Sequence, residues 1–195
     1  MEKVFFRGAF YAAGQFRERG KMAQKMVERS HFYVTVGQTI CNMQESKKYS
    51  HEEIVAVMPQ QDPFLFLDCA EISAGNVVGQ YKIKGDEFFL KGHFKGNPVF
   101  PGTLMLEMLG QVCVFYLLKG GDQSLARDVD PMKVFVTCSE MLRCSRICRP
   151  GDTMVVRAKV VKIRHPLAYF EAVMDVDGER AAYAERISFA FDYAG

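Results

Sequence analysis

From residue 104 to residue 118 the chain is apolar on nearly every side of a helix, interrupted only by Glu107, Gly110, Gln111 and Tyr116. Pro101-Gly102 supplies a start for that helix and Gly120-Gly121 a stop, proline being at home at a helix entrance and glycine just past its end. A helix of this kind has almost no face to show to water and must be buried on most sides. The 15-residue run carries Glu107 and Gln111, so it reads as too short and too polar for a membrane span. It needs a protein wrapper, and Gly110 would let one element of that wrapper come close to its backbone.

The rest of the sequence supplies strands. Residues 64–72 and 77–83 are strand candidates on either side of the turn Ala74-Gly75-Asn76, and residues 133–138 follow the helix. Residues 153–163 form a long valine-rich candidate that ends before His165-Pro166. Residues 167–176 and 180–191 are joined by Asp177-Gly178, a strong hairpin signal. Ser50-His51-Glu52-Glu53 reads as a capping box that opens a short helix ending before Pro59. The expected class is α+β, a curved antiparallel sheet wrapped around one long central helix.

Hydrophobic residues make up 49% of the 195, and the formal net charge is only +2, which excludes a disordered polyelectrolyte and a one-sidedly basic nucleic-acid binder. A chain of this size buries about 70% of the surface its unfolded form exposes, so its six cysteines are not needed as staples. They are spread along the chain and no secretory signal is read ahead of them, which predicts a reducing, cytoplasmic setting. The small net charge is a cancellation. Residues 1–49 hold nine basic and four acidic side chains, residues 50–195 sixteen and nineteen, and we place a boundary near Ser50. In the extension, residues 1–49, Phe16, Met22, Ala23, Met26 and Val27 fall near helical spacing, and Phe32, Val34 and Val36 alternate as in a strand. A basic leader of this kind reads as a targeting peptide, a membrane-surface helix or a packed appendage on a sheet edge; the packed helix/strand appendage is the reading adopted.

Residues 91–111, KGHFKGNPVFPGTLMLEMLGQ, hold three things a proton-transfer site needs. His93 can take or give a proton near neutral pH. Glu107 is a carboxyl in an apolar helix, which predicts a desolvated acid that keeps its proton. Gly102, at the helix start, offers an unpaired N–H aided by the helix dipole, suited to a carbonyl oxygen that gains negative charge. Gln111, four residues after Glu107, shares its helical face and is placed to orient the carboxyl. Taken alone, a loop histidine is more often a turn residue and a buried glutamate more often half of a structural pair.

The same segment resembles the active-site motif of the 3-hydroxyacyl-[acyl-carrier-protein] dehydratases of type II fatty acid synthesis, a hotdog-fold family. The fourteen-residue interval from His93 to Glu107 matches, as do Gly92, Phe94, Gly96, Asn97, Pro98, Pro101, Gly102 and Gln111. Residues 58–65, MPQQDPFL, resemble the family's approach to its first strand, and Pro150-Gly151-Asp152 its turn into the long strand. The resemblance thus spans residues 50–195 and implies a hotdog domain there. It implies a homodimer with a continuous sheet of ten or more strands, in which each site combines His93 of one chain with Glu107 of the other, and which allows further assembly to a hexamer. It implies a (3R)-3-hydroxyacyl substrate on the phosphopantetheine of an acyl carrier protein, a trans-2-enoyl product, and no metal or organic cofactor. Val99 would orient His93 through its carbonyl, and Gly102 would bind the thioester oxygen.

Several positions depart from the family pattern: Gln60 stands for histidine, Lys95 for proline, Thr103 for an aliphatic residue, Cys144 for phenylalanine and Ile147 for proline. With the extension, they imply a specialised member serving polyketide, polyene or other secondary-metabolite chains. Two other readings stay open: an enoyl-thioester hydratase acting on coenzyme A substrates, and a non-catalytic acyl-thioester-binding module. Glu107, where isomerising relatives usually carry aspartate, leans away from double-bond isomerisation. Cys144, Cys148 and His165 fit no common zinc spacing and read as plain thiols and a strand end. Lys91, Lys95, Arg143, Arg146 and Arg149 offer either a basic rim for an acidic carrier protein or a solvated mixed-charge surface.

Overall fold

The computed structural model describes residues 46–195. The helix and strand expected within residues 16–36, with His31 and Cys41, lie outside the described residues. Two α-helices, α1 (His51–Val55) and α2 (Gly102–Lys119), accompany eight strands. The strands are β1 (Lys47–Tyr49), β2 (Cys69–Ser73), β3 (Asn76–Lys82), β4 (Val129–Glu140), β5 (Arg143–Cys144), β6 (Thr153–Arg164), β7 (Leu167–Val176) and β8 (Glu179–Tyr193). They form one antiparallel sheet in the order β1-β2-β3-β6-β7-β8-β4, with β5 also against β8. This is the hotdog arrangement, with α2 as the filling.

Burial explains the curl. Every residue of α2 from Met108 to Leu117 is buried, a stretch that could be kept from water only by a sheet closing round it. Its 18 residues have a mean hydropathy of 1.3, enough to cross a membrane by composition, so it is the surrounding sheet and not composition that marks it as a core helix. On β7 every second residue faces inward, and small Ala168 and Ala172 alternate with larger Phe170, Met174 and Val176. The alanines leave the trough in which the helix lies. β3 comes closest at Gly79, where an added Cβ would stand 2.5 Å from Leu67 Cδ2 and 2.7 Å from Val112 Cγ2.

The local signals hold where the physics is local. Ser50 and Glu53 complete the capping box, the Ser50 amide donating to Glu53 Oε2 at 2.8 Å while the Glu53 amide donates to Ser50 Oγ at 3.4 Å. Asp177 (φ 52°) and Gly178 (φ 80°) both take the left-handed conformation that a tight hairpin turn demands. Three expectations shift. The strand expected over residues 64–72 begins only at Cys69, because the Phe64 carbonyl and Phe66 amide are engaged by the Gln111 side chain and not by a neighbouring strand. The strand expected over residues 133–138 extends to Val129–Glu140, since Pro131 sits on a sheet edge, where a missing N–H costs no ladder bond. The chain just ahead of Ser50, assigned by charge to the extension, is β1, paired with β2.

Replacing Gly79 with alanine should test the close approach of β3 to α2. Val112 is stiff at its branch and fully buried, so Gly79→Ala is expected to cost about 1–3 kcal/mol. Urea unfolding would read this as a lower midpoint at unchanged slope; an unchanged midpoint would mean that the helix yields freely.

Candidate active site

His93 stands at the base of a loop that follows a short 3-10 turn, Phe88–Lys91. The loop closes on itself. The Val99 amide donates to the His93 carbonyl at 2.8 Å, and Phe94 and Asn97 exchange both of their backbone bonds at 3.0 Å. Gly96, at φ 70°, makes the turn. Within this frame the His93 ring has its Nδ1 2.9 Å from the Val99 carbonyl. A carbonyl can only accept, so Nδ1 carries the hydrogen and a neutral His93 keeps a free lone pair on Nε2. The ring stacks on Phe94 at 3.9 Å between centroids.

The second half of the site is the opening turn of α2. The Leu104 and Met105 amides both reach the Pro101 carbonyl, at 3.0 and 3.1 Å. The Gly102 amide, first in the helix, has no acceptor among the described residues, as expected of a helix start whose cap, Pro101, provides no side-chain bond. Two turns on, Gln111 is 1% exposed and fully committed: its Oε1 accepts from the Phe66 amide, and its Nε2 donates to the Phe64 carbonyl and to Glu107 Oε1. These three bonds, of 2.8, 2.8 and 2.9 Å, admit only one orientation of the amide, so Gln111 always offers N–H to Glu107. Oε1 of Glu107 is thereby the acceptor oxygen, and Oε2 is left to carry a proton.

One sequence expectation is corrected here. Glu107 is not wholly desolvated in a single chain but half-buried, because the sheet covers α2 from Met108 onward and leaves Thr103, Leu106 and Glu107 on an uncovered stripe. The edge strand β4 borders that opening. Val136 lies 3.8 Å from where a Gly110 Cβ would be, on the helix side of the sheet, yet is 51% exposed.

Cys144 and Gly102 come together although 42 residues apart. The Cys144 thiol donates to the Gly102 carbonyl at 3.8 Å, and a Cβ on Gly102 would stand 3.3 Å from its sulfur. Burial pushes the Cys144 thiol above its ordinary range, which makes it a poor nucleophile, and pushes Cys148 up to about 11. Among the described residues no three His, Cys, Asp or Glu side chains gather as a metal would need. Of the five cations that offered either a basic rim or a mixed-charge surface, two are engaged within the chain. Arg146 is spent on Asp177 at 2.9 Å, Glu179 at 3.4 Å and Asp152 at 3.9 Å, and Arg149 on the His93 loop, which leaves Lys91, Lys95 and Arg143 exposed. His51 is held by partners distant in the sequence. Its Nδ1 is 2.8 Å from the Leu67 carbonyl and its Nε2 3.6 Å from Asp62, contacts across 16 and 11 residues that no local pattern reveals.

Known proteins resemble this chain in the same region. The model of the FabA-like domain matches residues 58–185. The 3-hydroxyacyl-[acyl-carrier-protein] dehydratase FabZ of Proteus mirabilis is 32% identical over 146 residues, covering 73% of this chain and 94% of its own. FabZ of Exiguobacterium sibiricum is 35% identical over 144 residues, covering 73% and 98%. Among solved structures, the dehydratase heterocomplex ApeI:P from Xenorhabdus doucetiae aligns with a TM-score of 0.56 at 16% identity, over 71% of this chain and 90% of that one. The HP0420-homologue from Helicobacter felis aligns at 0.53 and 8% identity, over 74% and 90%. The two structures agree with the hotdog fold, and the sequence matches, which include the loop of His93 and the helix of Glu107, show that the chain belongs to the FabA-like family.

Proposed function

We propose that this chain dehydrates (3R)-3-hydroxyacyl thioesters held on an acyl carrier protein, releasing trans-2-enoyl thioester and water. The observation that carries the reading is that both acid–base groups are held in one sense by backbone-anchored hydrogen bonds. His93 is fixed with Nε2 free, and Glu107 is fixed with Oε2 free. A module that only bound acyl thioesters would need neither arrangement.

The steps follow from those atoms. The thioester carbonyl accepts from the Gly102 N–H, which stabilises the enolate oxygen as charge develops. His93 Nε2 takes the proton from C2, and the electron pair forms the C2–C3 double bond. The C3–O bond breaks, and the proton on Glu107 Oε2 leaves with the hydroxyl as water. His93 ends protonated and Glu107 ionised, and exchange with solvent resets both. Each proton is taken or given by one of these two side chains, from the substrate C2 to His93 and from Glu107 to the leaving hydroxyl, so the scheme calls on no metal or organic cofactor. Running backward, the same groups would hydrate an enoyl thioester. Lys91, Lys95 and Arg143, all exposed, support an acidic carrier protein as the donor, and a cytoplasmic setting accords with it. Small Cys144 beside Gly102 supports the finer reading of a specialised member that takes bulkier acyl chains.

The working unit in this reading is a homodimer. Among the described residues edge strand β4 pairs only with β8, and it exposes Met132 (72%), Phe135 (63%) and Val136 (51%), an edge of the kind that soluble chains seldom leave open. A second copy seated there would cover the stripe that carries Glu107 and bring its own His93 loop to it.

Incubation with a 3-hydroxyacyl carrier protein, followed by enoyl absorbance, is the direct test. His93→Ala and Glu107→Gln should each lower kcat by about 10²- to 10⁴-fold, and undiminished turnover in either would remove that residue from the scheme. Competition between short and long acyl chains reads the specialised selectivity. For the dimer, Phe135→Lys should give a monomer by native mass that turns over no substrate; an active monomer is incompatible with a shared site.

A further inference from the structure

Resting on the functional reading above, we propose that Arg149 is a positioning residue for His93, acting through the loop that holds the imidazole. The loop tip, residues 94–98, is exposed throughout, and Phe94 is 54% exposed even though it stacks on the His93 ring. Apolar burial therefore does little to hold the tip, and its internal bonds close the loop without fixing it to the body of the protein.

Arg149 makes that connection. Its Nη1 donates to Asn97 Oδ1 at 2.5 Å and lies 3.5 Å from the Pro98 carbonyl. Among the described residues no other side chain outside the loop hydrogen-bonds the tip. Asn97 and Pro98 immediately precede Val99, whose carbonyl receives His93 Nδ1–H. The platform beneath Arg149 is firm. The Cys148 side chain is fully buried and its carbonyl accepts from the Phe100 amide at 2.9 Å. Asp152 accepts from the Arg149 amide at 2.9 Å, and the Ile83 amide donates to the Asp152 carbonyl at 3.0 Å. The Phe100 amide ties the far end of the Val99–Phe100 peptide to this platform, and the charge-assisted bond from Arg149 holds the residues just before it, so that the Val99 carbonyl is fixed from both sides and with it the tautomer and aim of His93.

The test reads the histidine directly. With the full chain above the imidazole's titration, ring ¹⁵N shifts of His93, assigned against His93→Ala, should show a single Nδ1–H tautomer. Arg149→Ala should give both tautomers, with kcat down about 10- to 100-fold and KM nearly unchanged. Arg149→Lys, which keeps the charge without the planar fork, should recover part of both. Asn97→Ala, which removes the acceptor and leaves the platform intact, should reproduce the Arg149→Ala spectrum if that variant folds poorly. A His93 tautomer unchanged in both alanine variants overturns the proposal whatever the rate does. A rise in KM at constant kcat also overturns it, since that would assign Arg149 to carrier binding. If the wild type turns over no hydroxyacyl substrate, the functional reading fails, while the spectra still decide the part played by Arg149.

Discussion

Burial of α2 governs the rest of the fold. An amphipathic helix can lie on one face of a flat sheet, but a helix apolar on nearly all sides cannot, so the strands must close round it. The inward alanines of β7 and the close approach at Gly79 are the adjustments that let them do so. The wrapping stops short of the first turns, where Thr103, Leu106 and Glu107 interrupt or border the apolar surface. Glu107 is found at that gap, where the sheet ceases to cover the helix.

Within the gap, orientation comes from buried backbone groups that must find partners. Leaving the buried Phe66 amide unpaired would cost about 1–3 kcal/mol, which opposes any swing of Gln111 away from Glu107. The same logic applies to His93, whose Nδ1 shares its frame with the Val99 amide and carbonyl. Stability and chemistry use the same hydrogen bonds here. What holds the polypeptide together at residues 64–66 and 93–99 also decides which nitrogen and which oxygen are free to react.

Much of this was legible in the sequence because it depends on short separations. The helix, the Asp177-Gly178 hairpin, the capping box at Ser50 and the pairing of Glu107 with Gln111 are all set within four residues, or by one run of apolar side chains. What stayed hidden depends on partners far along the chain. Gln111 takes the strand bonds of residues 64–66 across about 45 positions, and Arg149 reaches Asn97 across 52. Arg146 counted as a free cation in the sequence, but the hairpin turn folds two carboxylates onto it. The short β5 brings Cys144 over the start of α2 by pairing with Ala182 and Tyr183, a register that no pattern around Cys144 predicts.

The gap also leaves Glu107 half-exposed in a lone chain. A half-exposed carboxyl shares its hydrogen-bonding capacity with water, which competes with Gln111 and with any substrate hydroxyl. The apolar residues at the bordering edge of β4 stand in the same water. Val136 faces the helix at Gly110, three residues on from Glu107, so a surface that covered this part of the edge would reach both. Covering the edge contributes the hydrophobic free energy, and exclusion of water from Glu107 comes with it. In the homodimer proposed above, assembly and the drying of Glu107 would be a single event, driven by the apolar surface of the sheet edge.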